Sequence, residues 1–317
     1  MPKHGDLAPS NTASSRVCAI IVSYYPDPTQ LSRLLASLQA QVQGIVLVDN
    51  GSHEPAFEAF CETALDRPGL TLLRLPDNRG VGEALNIGIA HANTQGFKWV
   101  LLLDHDSEAE PGMVTALIEG YRQSSRQRRV AAVGPRYLEA HSDADAPFVR
   151  IRFPCNRKLY CDDKVTPIRC DFLITSGTLT RIEVLDAIGP MDAHLFIDNV
   201  DLEWCFRAQA LGYSLYGVCG ARMHHRLGDA RQQLPLGLGR VVVHAPVRLY
   251  YMMRNRVALY RRPYTPRRWI AQDIPRLLLK FALFSLLLAP RRHNTRMMLR
   301  GLYDGLRNRL DRYEGTP

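Results

Sequence analysis

The sequence of 317 residues lacks the features that mark secreted and zinc-binding proteins. Its seven cysteines are an odd number, and no two of them form a Cys-x-x-Cys pair. This usage favours reduced thiols and a cytoplasmic location over a disulfide framework or a zinc site. The first 16 residues contain no apolar stretch of the kind that a secretory signal requires. We therefore expect residues 1–16 to form a disordered tail.

Acidic residues are scarce in the last part of the chain. Residues 231–317 contain 18 lysines and arginines but only 4 acids, whereas residues 1–230 contain 22 basic and 27 acidic residues. A region with such an excess of positive charge attracts phosphate groups, either of a nucleic acid or of an anionic membrane. No nucleic-acid-binding module accompanies it, so the composition favours an anionic membrane surface and predicts no nucleic acid as partner.

One apolar run in this basic region is too short to cross a bilayer. Leu277–Ala289 has 13 residues and includes Lys280. As a helix it would be about 20 Å long, whereas the hydrocarbon core is about 30 Å thick. Because arginines flank the run on both sides, we expect it to lie in the membrane interface. A helix that is buried in a protein core or in a homodimer is the alternative.

Apolar segments of strand length alternate with segments of helical periodicity in residues 17–230. This alternation predicts an α/β fold with a mostly parallel central sheet flanked by helices, wound as in nucleotide-binding proteins. We expect residues 17–230 to form the catalytic domain and residues 231–317 a basic helical extension. The segments that predict the first four strands are Val17–Ser23, Gly44–Val48, Leu70–Leu75 and Trp99–Leu103.

Two acids follow the fourth of these apolar segments directly. Asp104 and Asp106 are two positions apart, so in an extended chain their side chains point to the same side. The carboxyl end of a buried strand is where open α/β sheets place ligands. Two close carboxylates repel each other, and Mg²⁺ or Mn²⁺ would relieve that repulsion while it holds substrate phosphates. The pair predicts a metal–diphosphate site.

Two more segments have side chains or glycines suited to a nucleotide. Asp49 ends the second apolar segment, where it could bind a base or a ribose or could form an Asx-turn, and its position leaves both interpretations open. Gly80 and Gly82 precede a predicted helix and allow a close approach of the backbone to an anion at the helix N-terminus.

A second acidic segment precedes another predicted helix, from about Val200 to Leu211, that is closed by Gly212. Asp198 and Asp201 lie at its start, where a single aspartate could be a helix N-cap. Capping requires only one acid, and a carboxylate in this position could also remove a proton from an alcohol.

Together these segments resemble the inverting glycosyltransferases of family 2, which have the GT-A fold, and within them the bacterial rhamnosyltransferases. The resemblance extends from Val17 to about Asn255. The order and spacing of the motifs together are more specific to the family than any single motif. The matching motifs are Ile21–Tyr24, Val48–Ser52, Asn78–Gly82, Leu103–Ser107, Ser176-Gly177, Phe196–Trp204, His225–Gly228 and the segment Tyr250–Asn255.

The resemblance implies a role for each matching residue. Asp198 would be the general base, although the family's usual Glu-Asp pair is Asp198-Asn199 here, and Asp201 stays an alternative base. Asp106 and His225 would bind the metal, and Ser176, Gly177 and Trp204 would lie on the acceptor side. The residues expected to bind the nucleotide sugar are Ser23, Asp49, Asn78, Arg79, Gly82, Asp104 and Arg254.

The activity that the resemblance implies is a metal-dependent transfer of L-rhamnose from dTDP-L-rhamnose, with Mg²⁺ or Mn²⁺ as cofactor. The expected acceptor is a hydroxyl of a cell-envelope glycan or glycolipid of the lipopolysaccharide, O-antigen or rhamnolipid type. The expected location is the inner face of the cytoplasmic membrane. The alternatives are transfer of another nucleotide-activated hexose or deoxysugar, and a catalytically inactive protein that binds nucleotide sugars or nucleic acid.

Overall fold

The computed structural model describes residues 16–64, 67–138, 146–161, 166–225, 231–233 and 240–315. The strands in this part of the chain are β1 (Val17–Ser23), β2 (Gly44–Asp49), β3 (Leu70–Arg74), β4 (Trp99–Asp104), β5 (Ser107–Ala109), β6 (Val130–Leu138), β7 (Phe148–Arg150), β8 (Arg157–Leu159), β9 (Ile168–Cys170), β10 (Thr178–Arg181), β11 (Ser214–His225), β12 (Arg231–Gln233) and β13 (Arg240–Val242). The helices are α1 (Pro28–Gln39), α2 (Pro55–Ala64), α3 (Val81–Thr94), α4 (Met113–Ser125), α5 (Ile182–Ile188), α6 (Val200–Ala210), α7 (Pro246–Tyr260), α8 (Arg267–Leu286) and α9 (Arg291–Leu306). The alternation of strands and helices confirms the predicted α/β class.

The main sheet has the strand order β3-β2-β1-β4-β10-β6-β11-β5, and β9 pairs with β11. Strand β1 lies between β2 and β4 and runs parallel to both. Strand β10 is antiparallel to its neighbours β4 and β6. The strand order therefore reverses at β1. In open α/β sheets, ligands bind beyond the carboxyl ends of the strands where the strand order reverses.

Strand β1 is apolar on both faces because the sheet is covered on both sides. All seven of its residues are buried, and successive side chains alternate between the faces. Ile20 packs in one core cluster with Ala84 and Leu85 of α3, whereas Ile21 packs in another with Leu34 of α1. An uninterrupted apolar run is what a central parallel strand requires.

The C-terminal helices pack on the part of the chain that precedes them. The Trp269 and Phe206 ring centroids are 5.2 Å apart, and Arg262 forms an ion pair of 2.7 Å with Asp192. Leu259 and Trp269 belong to the same core cluster as the sheet. Among the described residues, none of the helices combines the length and the apolar character that crossing a bilayer requires.

The fold places two cysteines in contact. Cys161 and Cys219 are 58 positions apart in sequence and form a disulfide. This corrects the expectation that all seven thiols are reduced. The spacing gave no signal of the pairing, because it depends on β11 bringing Cys219 next to the segment that follows β8.

Candidate active site

The predicted acid pair lies at the carboxyl end of β4. Asp104 is the last residue of this strand, and Asp106 lies in the turn before β5. Burial and, after it, the carboxylate of Asp106 raise the pKa of Asp104 to about 6, while the charges of His105 and Arg248 act in the opposite direction. Two partly buried carboxylates that repel each other in this way suit a divalent cation.

Ser176 and Gly177 hold the acidic turn in place. The backbone N–H of Asp104 donates to Ser176 Oγ at 3.1 Å, and the hydroxyls of Ser176 and Ser107 are 2.5 Å apart. The N–H of Gly177 donates to the carbonyl of Leu102 at 2.7 Å. Both residues are buried. They contact the acidic turn from inside the protein, and their expected contact with an acceptor stays a prediction.

The carboxylate of Asp49 stabilises the turn that follows β2, which is one of the two roles that its position allows. Its carboxylate accepts hydrogen bonds from the N–H of Ser52 at 3.2 and 3.3 Å, and Asp49 is only 1% exposed. Burial raises its pKa, which the hydrogen bonds from Ser52 and the charge of Arg74 partly offset. Ser23, its register partner in β1, is fully buried. The contact with a nucleotide that the resemblance implies for both residues stays a prediction.

Asn78 organises the turn that precedes α3. Its side-chain oxygen accepts from the N–H of Gly80 at 2.9 Å and from the side chain of Asn50 at 3.1 Å. The N–H of Arg79 donates to the Asn50 side chain at 2.9 Å. The guanidinium of Arg79 is about half exposed beside Asp77, so a substrate can reach it from solvent.

The loop before α6 packs closely against the glycines of the same turn. The N–H of Val81, at the start of α3, donates to the carbonyl of Phe196 at 2.7 Å. A Cβ on Gly80, whose φ is +84°, would lie 2.5 Å from that oxygen, and one on Gly82 would lie 3.2 Å from the Cα of Ala193. The loop before α6 therefore covers this helix N-terminus, and the nucleotide contact expected at Gly82 stays a prediction.

The loop that carries Asp198 has an unusual backbone. Phe196, Asp198 and Asn199 have φ values of +64°, +62° and +64°. Asn199 is the N-cap residue of α6, and its side chain makes no capping hydrogen bond. Asp198 is therefore not the simple N-cap that its position allowed. Left-handed conformations in non-glycine residues cost free energy and persist only where surrounding contacts impose them.

Asn255 of α7 imposes this conformation. Its side-chain amide donates to the carbonyls of Leu195, Ile197 and Asp198 at 2.9, 2.7 and 2.9 Å. Asn255 is fully buried. The contacts attach the loop to α7, so the position of Asp198 depends on the first helix of the C-terminal extension.

Arg254 supports the same loop from the neighbouring position. It is fully buried, and its guanidinium donates to the carbonyls of His194 at 3.1 Å and Leu195 at 2.8 Å, and to that of Asp311. Its Nε–H donates to the side chain of Asn255 at 2.9 Å. These backbone carbonyls occupy its guanidinium away from solvent, and the expected contact between Arg254 and a phosphate stays a prediction.

Arg248 is a site residue that the sequence motifs did not indicate. Its Nε–H donates to Asp198 Oδ2 at 3.2 Å and its Nη2–H to Oδ1 at 3.1 Å. A signal was present, because Arg248 lies seven positions before Asn255 and thus on the same face of α7. The motif drew attention to Arg254, which faces the interior.

Asp201 and Trp204 lie deeper than Asp198. Burial raises the pKa of Asp201 to about 6, with smaller contributions from the charges of Asp104 and Asp198, while the N–H of Leu202 acts against the shift. Trp204 is only 2% exposed, and its indole N–H donates to the carbonyl of Gly189 at 3.1 Å. Its ring packs in the core, and the acceptor contact expected of Trp204 stays a prediction.

The predicted metal ligands are only partly described. His225 is the last residue of β11, where its backbone pairs with Ser107; its side chain and residues 226–230, including the rest of the His225–Gly228 motif, lie outside the described residues. Among the described side chains no group of three histidines, cysteines or acids is placed to hold a metal ion. Asp104 and Asp106 nevertheless fit the one or two carboxylates that Mg²⁺ uses when substrate phosphates complete its shell.

Comparison with known sequences supports a family assignment. The family model described as "Glycosyl transferase family 2" matches residues 19–189. The dTDP-rhamnosyl transferase RfbF of Shigella flexneri is 29% identical over 254 residues, which cover 80% of this chain and 82% of that protein. The galactofuranosyltransferase GlfT1 of Mycobacterium tuberculosis is 27% identical over 319 residues, 94% of this chain and 96% of that protein.

Solved structures with the same fold are more distant in sequence. GalNAc-T7 with UDP, GalNAc and Mn²⁺ superposes with a TM-score of 0.62 at 14% identity, covering 96% of this chain and 60% of that one. Staphylococcus aureus TarS 1-349 in complex with UDP-GlcNAc has a TM-score of 0.55 at 14% identity, covering 92% and 81%. At these identities the likeness concerns the fold alone, and it confirms the GT-A architecture that the sequence predicts.

Proposed function

The chain belongs to glycosyltransferase family 2, whose model spans more than half of it, and on this premise we propose that it transfers L-rhamnose from dTDP-L-rhamnose to an acceptor hydroxyl. The similarity to a dTDP-rhamnosyl transferase over four fifths of both chains supports this choice of donor. The similarity to a galactofuranosyltransferase over nearly the whole chain supports a second candidate, the transfer of galactofuranose.

The observation that carries the proposal is the convergence of the acids from β4 and from the loop before α6. The carboxylates of Asp104 and Asp198 both act on the pKa of Asp201, so the three groups share one site although 97 positions separate the first from the last. Transfer to a hydroxyl with inversion needs one group of acids beside the diphosphate and a carboxylate that accepts a proton. This site has both.

The proposed mechanism is a single displacement. Asp198 accepts the proton of the acceptor hydroxyl as that oxygen forms a bond to the anomeric carbon of the sugar. The bond from this carbon to the diphosphate breaks, and its electron pair leaves with the nucleotide. Asp104 and Asp106 would hold Mg²⁺ or Mn²⁺, which supplies the positive charge that stabilises the departing diphosphate.

A donor assay tests this proposal. We expect the full chain to release dTDP from dTDP-L-rhamnose in the presence of an acceptor extract, and to bind dTDP with Mg²⁺ as measured by thermal shift. Chelation by EDTA should abolish both signals, and Mg²⁺ or Mn²⁺ should restore them, because the repulsion between Asp104 and Asp106 is no longer compensated without a cation. A preference for nucleotide-activated galactofuranose would replace the proposed donor, and absence of binding to all nucleotides would contradict the enzyme assignment.

We further propose that the C-terminal helices place the enzyme on an anionic membrane, where the acceptor is attached to a lipid. Helix α8 has an exposed apolar stripe in which Leu278, Leu279 and Leu286 are 64, 69 and 66% exposed. Exposed arginines lie beside it at Arg267 and Arg276. The combination of exposed leucines and basic side chains suits the interface between headgroups and acyl chains.

Vesicle sedimentation tests this attachment. The variant Leu278→Ser/Leu279→Ser should lose most binding to vesicles that contain phosphatidylglycerol, whereas Leu211→Ser, which changes a leucine that is 48% exposed outside this region, should bind like the wild type. The wild type should bind vesicles of phosphatidylcholine alone less well, because the electrostatic attraction is absent. If the double variant instead converts a dimer into a monomer, the stripe is a protein interface.

A further inference from the structure

Arg248 contacts the acid that the proposed reaction uses as its base. It belongs to the first turn of α7, and its guanidinium contacts both carboxylate oxygens of Asp198. Its positive charge also opposes the rise in the pKa of Asp104, so it lies within electrostatic reach of the end of β4. The side chain is 36% exposed, compared with 15% for that of Asp198.

The ion pair competes with the proposed role of Asp198. An acceptor hydroxyl must donate to a carboxylate oxygen before the proton can move, and Arg248 takes one acceptor position on each of these oxygens in the structure. An arginine keeps its protons, so it cannot relay one from the hydroxyl. We therefore expect the hydroxyl to reach Asp198 more readily once Arg248 has left at least one of its oxygens.

A diphosphate is the group that can draw Arg248 away. A guanidinium donates two parallel hydrogen bonds to phosphate oxygens as readily as to a carboxylate. The diphosphate of a nucleotide sugar would arrive beside Asp104, within the reach of the same charge. Asp198 would keep its position after the exchange, because Asn255 holds its backbone carbonyl at 2.9 Å.

We propose that Arg248 binds the diphosphate of the donor and, until the donor arrives, blocks Asp198. The inference rests on the proposed function and adds an order of events to it. The donor binds first, and Asp198 becomes available as the base only once the nucleotide is in place. The exchange moves no proton and breaks no covalent bond. Its consequence is that the nucleotide and Asp198 compete for one guanidinium.

This competition is measurable without turnover. We would titrate dTDP with Mg²⁺ into the wild type, Arg248→Met, Asp198→Asn and the double variant by calorimetry. Arg248→Met should weaken the binding of dTDP about tenfold, the value of a charge-assisted hydrogen bond. Asp198→Asn should tighten it about tenfold, and by much less when Arg248 is already methionine. Asparagine tolerates the left-handed backbone at position 198.

Controls separate this role from a structural one. Thymidine lacks the diphosphate, so its affinity should not change in Arg248→Met, and Arg261→Met, which removes an exposed arginine just after α7, should leave dTDP binding unchanged. Equal dTDP affinity in the wild type and Arg248→Met would overturn the inference and leave the proposed function intact. The same holds if Asp198→Asn tightens binding equally in both backgrounds. A wild type that binds neither dTDP nor UDP would overturn both.

Discussion

Replacing Asp198 with asparagine should lower the turnover number for sugar transfer about a hundredfold or more. Loss of a positioned general base costs this much or more in enzymes that remove a proton from the attacking group. The side chains are of nearly equal size and the φ of +62° suits asparagine, so the fold should be unaffected. The measurement is the turnover number at saturating donor and acceptor, with circular dichroism as the check on folding.

Asp201→Asn is the matched comparison for this prediction. Asp201 is also an acid of the site, with a pKa that burial raises to about 6, and a pKa close to the working pH suits a base. Its Oδ1, however, accepts from the N–H of Leu202 at 2.7 Å, which supports a role in the start of α6. We expect a smaller loss than at Asp198. A larger loss in Asp201→Asn would assign the base to Asp201.

Replacing Arg254 with methionine should lower the free energy of unfolding by about 3 kcal/mol or more. The variant removes the three hydrogen bonds that the guanidinium donates to the carbonyls of His194, Leu195 and Asp311. It also removes a guanidinium that lies 4.8 Å from the centroid of the Tyr251 ring. Urea unfolding followed by circular dichroism measures the difference, and Arg254→Lys should not restore it, since an ammonium cannot donate in the same fork.

Arg261→Met is the control for Arg254. Arg261 is exposed and donates a hydrogen bond to the carbonyl of Leu306, so we expect a loss of about 1 kcal/mol or less. An Arg254→Met variant with unchanged stability and a raised KM for the donor would instead support the contact with phosphate that the sequence predicts. The two outcomes distinguish a residue that positions the Asp198 loop from one that binds substrate.

Local sequence patterns predict the class of the fold and the acid pair at the end of β4. Continuous apolar runs such as Val17–Val22 require a sheet covered on both faces, and an acid directly after such a run must lie at the carboxyl edge. Asp104 and Asp106 are therefore predictable from local pattern alone. The same is true of the helix after Asp198 and its end at Gly212, where the structure has a φ of +82°.

Tertiary packing determines which of the remaining residues are exposed. A sequence motif does not indicate whether its polar residues face solvent or the interior. In the structure Ser176, Gly82, Trp204 and Arg254 are buried. The contact between Arg248 and Asp198 joins residues 50 positions apart, and it exists because α7 packs beside the loop before α6. No local sequence pattern indicates this contact, since long-range packing brings the two residues together.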